Sequence, residues 1–102
     1  MIHVIATIEL VEGKQDSFLQ EFHALMPKVH AEQGCLEYGP AMDAATDIPV
    51  QSAVRESTVT VIEKWADLPA LKAHLKAAHM TDYRARVKEM VKGVTLRILQ
   101  PA

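Results

Sequence analysis

With a single cysteine, Cys35, the chain can close no intrachain disulfide and offers no cysteine set for zinc. Its apolar runs, such as Val4-Ile5-Ala6, fall far short of the roughly 20 residues that a membrane-spanning helix needs. No positively charged segment with an apolar core and a cleavage site opens the sequence, so a reduced, cytoplasmic protein without a membrane partner is expected. An excess of positive charge is lacking too. The 11 Lys and Arg against 13 Asp and Glu leave a net charge of -2, with basic residues gathered only at Arg84, Arg86 and Lys88. That is no electrostatic footprint for nucleic acid. The sequence has no low-complexity segment, no repeat at solenoid spacing, no Gly-rich dinucleotide fingerprint, no phosphate loop and no His-Glu-x-x-His. His23 and His30 share a helix face but lie about two turns apart, roughly 10 Å, too far to hold one metal ion. Neither a metal nor a bound cofactor is therefore expected.

What remains is ordinary globular composition, 49% hydrophobic and 24% charged, over 102 residues. That length predicts one domain spanning 1–102, able to bury roughly two-thirds of the surface its unfolded chain exposes.

The hydrophobic period switches between strand and helix four times along the chain. Ile2 to Val11 alternates as a strand, with Ile2, Val4, Ala6, Ile8 and Leu10 on one side and Ile5 and Val11 on the other. From Lys14 to Gln33 the residues Phe18, Phe22, Leu25 and Val29 mark one face of a helix, capped by Gly34 and kinked or broken at Pro27. Cys35 to Met42 and Arg55 to Lys64 read as strands, joined through a long connection, Asp43 to Val54. Asp67 caps a helix with Pro69 in its first turn and Leu68, Leu71, Leu75 and Ala78 as its stripe. A break is expected at His79 to Thr81, after which Tyr83, Val87, Met90 and Val91 form a second stripe running up to Gly93, and Val94 to Gln100 is a last strand.

The resulting order, βαββαβ with the second helical element split, predicts an α+β, ferredoxin-like fold with helices on one face of a four-stranded antiparallel sheet. Apolar residues on both faces of the first strand then call for a partner. A homodimer is expected.

Candidate chemistry gathers at one strand-to-helix junction. Glu63 and Trp65, two apart, share a strand face with Val59 and Val61. A carboxylate continuing an apolar face must find a donor or lose its charge, and a raised pKa there suits a general acid or base. Trp65 is equally well read as a core anchor. His74 sits about 60° from the centre of its helix stripe, a boundary position between core and water, where histidines are commonly just hydrogen-bonded. His79 is either a junction hydrogen bond or a second catalytic group, and in an unbroken helix it would point about 140° away from His74. Tyr38 and Tyr83 are candidate substrate-binding walls, Cys35 a small core residue, and His3 a surface residue.

These residues also carry a resemblance. The run Glu63-Lys64-Trp65 leading into Ala70-Leu71-Lys72-Ala73-His74, with His79 close behind, resembles the signature of the antibiotic biosynthesis monooxygenase family. Gly34-Cys35-Leu36-Glu37-Tyr38 and the opening strand with Gly13-Lys14 extend the likeness over nearly the whole chain. The resemblance implies a homodimer whose sheets join as a dimeric α+β barrel, with a pocket in each subunit between sheet and helices. It also implies oxygenation of a quinol or anthrone by dioxygen without metal, flavin or nicotinamide, a base taking the phenolic proton. The match to the family's Ala-Leu-x-x-His favours His74 as that base, with His79 the alternative, Glu63 tuning the local hydrogen bonds and Trp65 stacking on the substrate.

Two departures qualify the likeness. The connection Asp43 to Val54 is longer than the family pattern, and the chain has no asparagine, which haem-degrading and anthrone-oxidising members use. Haem degradation is disfavoured, and Thr7 or Gln51 would have to orient an anthrone. Two rivals follow: a proton-transfer isomerase acting on a small carbonyl or phosphorylated metabolite, and a non-catalytic small-ligand-binding dimer, for which 102 residues leave no output module.

Overall fold

The alternation from Ile2 to Leu10 builds β1, whose even-numbered residues Val4, Ala6, Ile8 and Leu10 are buried beneath helices. The computed structural model describes residues 1–102. After β1 come α1 (Gln15–His30), β2 (Cys35–Ala41), β3 (Thr58–Trp65), α2 (Leu68–Lys76), α3 (Ala78–Val87), one 3-10 turn over Lys88–Met90, and β4 (Val91–Leu99). The strands form one antiparallel sheet in the order β2-β3-β1-β4, the ferredoxin-like arrangement that the sequence predicts.

Register decides which side chains meet. Tyr38 pairs with Glu63, Glu63 with Val4 and Val4 with Ile98, so these four form a row across the helix-covered face. The next row holds Pro40, Val61, Ala6 and Leu96. Phe18, Phe22, Leu25 and Val29 of α1 press onto this face and form the core with Val59, Val61 and Trp65. Each such side chain contributes about 1.5–3 kcal/mol when fully buried. On the opposite face Ile5, Ile62 and Leu99 lie among Thr7, Thr60 and Thr95, and no helix covers them.

Several local expectations are corrected. Pro27 does not break α1, which continues to His30, because the lost donor falls in the last turn where few bonds remain to be disrupted. Arg55 does not open β3; its guanidinium forms a two-pronged ion pair with Asp43 at 2.8 and 2.9 Å, clasping the ends of the long connection. The helix break lies at Ala77, whose backbone is extended, so His79 belongs to α3. Val91 opens β4 instead of ending a helical stripe. A register shift at Glu9/Leu10 lets it pair with Leu10, and Val11 N–H donates to Met90 O at 2.9 Å.

The face of α2 also differs. Leu71 and His74 are its buried residues, whereas Leu68 and Ala78 are exposed. His74 is only 2% exposed, a core position and not a boundary one. No helix is long and apolar enough to cross a membrane.

Candidate active site

Between the sheet and the helices lies a cavity of about 450 Å³. Ala6, Ile8, Val61 and Leu96 form its sheet wall, Phe18 and Phe22 of α1 and Met80 and Val87 of α3 its helical wall. Val94 and Leu96 of the edge strand are half exposed, so the cavity reaches the surface beside β4, where Arg84 and Lys88 stand on its rim. Four polar residues, Tyr38, Glu63, His74 and Tyr83, also line it.

Each of the four is placed by its element. Alternation along β3 turns Glu63 to the helix side together with Val61 and Trp65, and cross-strand pairing sets Tyr38 beside it. Trp65 Nε1 donates to Glu63 Oε1 at 2.9 Å. Burial nevertheless pushes the Glu63 carboxyl up to about 7; the indole hydrogen bond opposes this and the charge of Glu32 adds to it. The Tyr38 and Tyr83 phenols are raised by burial first; the Glu63 charge adds to this at both, and Arg84 opposes it at Tyr83, so both remain protonated donors at neutral pH.

His74 is held from three sides. Its ring centroid lies 4.6 Å from that of Trp65 and 5.4 Å from that of Tyr38, and its Nδ1 is 2.9 Å from Glu32 Oε2. Every buried side-chain nitrogen and oxygen in the molecule has a hydrogen-bond partner. His74 Nε2 has none within the protein, so it opens onto accessible space, and the space beside it is the cavity. Burial lowers the His74 pKa; Glu32 opposes the fall, and the charges of His79 and Arg84 deepen it. The net fall favours the uncharged imidazole over the cation.

The structure brings Glu63, His74, Tyr38 and Tyr83 together and sets His79 apart. His79 Nε2 lies 2.7 Å from the same Glu32 oxygen, but its ring faces a smaller cleft between α1 and α3, with Lys28, Asp82 and Arg86. Trp65 is fully buried and off the cavity wall, so it supports Glu63 and His74 from behind and offers no stacking face. Gln51 is engaged inside its own loop with Thr46 and Ala44, and Thr7 points to the uncovered sheet face, so neither can orient a ligand here. Cys35 has its thiol pKa raised by burial and by the nearby charges of Glu32 and Glu63, which keeps it unreactive.

Glu32 is the residue that sequence reasoning missed. It follows α1 in a turn, and its local signal is spacing: three residues after Val29 and seven after Leu25, it sets a carboxylate at the next position of the apolar stripe, two places before Gly34.

A sheet backed on one side by helices, with a pocket between the layers, defines a ferredoxin-like α+β protein. Within that class the chain belongs to the antibiotic biosynthesis monooxygenase family, whose model matches residues 1–86, and it is an enzyme of that monooxygenase family. It is 38% identical over 103 residues to an Escherichia coli protein named probable quinol monooxygenase YgiN, spanning 99% of this chain and 98% of that one. Among solved structures, PA3566 from Pseudomonas aeruginosa superposes with a TM-score of 0.80 at 25% identity, covering 99% of this chain and 93% of that one. A conserved protein from Methanosarcina mazei shares the fold at a TM-score of 0.83 and 20% identity, over 99% and 92% of the two chains.

Proposed function

We propose that the protein is a cofactor-independent monooxygenase that oxidises a quinol- or anthrone-like aromatic with dioxygen. The observation that carries this reading is that His74, whose pKa burial lowers, and Glu63, whose carboxyl burial pushes up to about 7, line one largely apolar cavity sized for a small aromatic. The name of the Escherichia coli relative points the same way.

In this reading His74 Nε2 takes the phenolic or enolic proton of the bound aromatic. The resulting carbanion-like anion gives one electron to dioxygen, and the two radicals combine to form a carbon-oxygen bond. Cleavage of the O–O bond leaves one oxygen atom on the substrate carbon. The other departs as water with the two hydrogens that the substrate loses. Protonated Glu63 and the two phenols supply hydrogen bonds to the substrate oxygens as charge develops on them. All reducing electrons come from the substrate.

A base and a protonated carboxyl facing one cavity equally suit a proton-transfer isomerase of a small carbonyl compound. An oxygen electrode separates the two. Uptake of one dioxygen per quinol or anthrone supports the monooxygenase. Solvent-deuterium exchange into a carbonyl compound without oxygen uptake makes the isomerase the better reading.

The active assembly in this reading is a homodimer, a dimeric α+β barrel formed by the uncovered sheet faces. Exposed Ile62 and Leu99 on that face, and Val94 and Leu96 at the open side of the cavity, support it, because a monomer leaves them in water. A reduced, cytoplasmic setting accords with the free Cys35.

A further inference from the structure

We propose that Glu32 is the positioning residue for His74, fixing its Nδ1–H so that Nε2 is bare toward the cavity, and that His79 weakens this hold by competing for the same oxygen. The inference rests on the reading of His74 as the base. Glu32 lines neither the cavity nor the cleft; it stands behind both histidines, 42 and 47 positions away from them in sequence.

The chemistry follows from the atoms. A carboxylate oxygen accepts and does not donate, so His74 Nδ1–H donates to Oε2 at 2.9 Å and His79 Nε2–H donates to it at 2.7 Å. With its proton held on Nδ1, a neutral His74 carries its lone pair on Nε2. When Nε2 takes a proton from a ligand, the ring becomes a cation directly against the Glu32 carboxylate, which stabilises it. The oxygen is shared, however. Each proton that His79 carries draws density from the same acceptor and places a like charge near His74.

The backbone fixes this geometry. Gly34, at φ +83°, turns the chain after α1 so tightly against α2 that a Cβ there would meet Ala70 Cβ at 2.7 Å. Its carbonyl accepts from Ala66 N–H at 2.8 Å. Ala70 and His74 are one helical turn apart, so docking Gly34 on the first sets Glu32 against the second. The break at Ala77 then folds His79 back to the same carboxylate.

Other groups face this cluster and must be counted in any titration. Glu63 and Tyr38 stand on the cavity side, Tyr83 and Arg84 on α3, and the Cys35 thiol near Glu32. The Arg84 guanidinium donates to Leu75 O at 2.9 Å and adds positive charge near His74.

Imidazole nitrogen NMR of the full-length protein, titrated with pH, reads tautomer and protonation midpoint without any substrate. The His74 signals are those that vanish in His74→Gln. In the wild type His74 is expected as the Nδ1–H tautomer. Glu32→Gln should lower its midpoint and mix in the other tautomer, whereas His79→Gln should raise the midpoint and keep the tautomer. Shifts of opposite sign are not what loosened packing gives. An Nε2–H tautomer in the wild type, or midpoints that stay put or move the same way in both variants, would overturn the proposal. If Glu32→Gln fails to fold, the sign of the His79→Gln shift decides alone. Turnover by His74→Ala would refute His74 as the base, a failure distinct from any NMR outcome.

Discussion

Trp65 Nε1 donates to Glu63 Oε1 at 2.9 Å, and both side chains are buried on one face of β3. The indole thus occupies one carboxyl oxygen and leaves the other for the cavity. Although this bond favours the carboxylate, burial outweighs it and the group titrates near neutrality.

Stability should record that titration. The Glu63 carboxyl rises from 4.5 to about 7 on folding, so the folded state binds its proton more tightly. Its contribution is fully present below about pH 4.5 and is lost as pH rises through 7. Glu63→Gln keeps an acceptor for the indole and removes the titration. Relative to that variant, the wild type should lose on the order of 3 kcal/mol between pH 4 and 8, measured by denaturant unfolding. Effects of His74, which act in the opposite sense at low pH, are common to both proteins and cancel. Parallel stability curves would show that Glu63 stays hydrated.

Gly34→Ala should cost about 1–3 kcal/mol for the positive φ, and more for the contact with Ala70. Gly13→Ala provides the control, since Gly13 has the same φ of +83° and nothing within 4 Å of its Cβ position. The difference between the two in urea midpoint isolates the close approach. Equal losses would mean that α2 simply moves aside.

His74→Ala should reduce oxygen uptake with a quinol substrate by about 100-fold or more, the range for loss of a general base. His79→Ala should have a far smaller effect, because its ring is off the cavity wall. If the order is reversed, the base is His79 and the cleft between α1 and α3 is the place to look for the substrate.

Ile62→Asp tests assembly without disturbing the core, since Ile62 is 41% exposed and points away from the helices. Sedimentation should show a dimer for the wild type and a folded monomer for the variant, a buried unpaired charge being costly at an interface. A wild-type monomer at micromolar concentration would dispose of the barrel.

The sequence alone determined the order of elements, because each buried face leaves its own period: alternation in Val59, Val61 and Glu63, and helical spacing in Phe18, Phe22, Leu25 and Val29. It also located the Asp67 cap, which accepts from Ala70 N–H, and pointed to Glu63 and His74, which are near neighbours along the chain. Periodicity ranks the faces of an element but says nothing of what packs against them. Only the tertiary structure decided that His74 lies in the core, that Trp65 sits behind the cavity, and that β4 begins at Val91. It alone joined Glu32 to two histidines more than 40 residues away. That contact depends on a glycine turn docking on a helix, a long-range fit that no local pattern encodes.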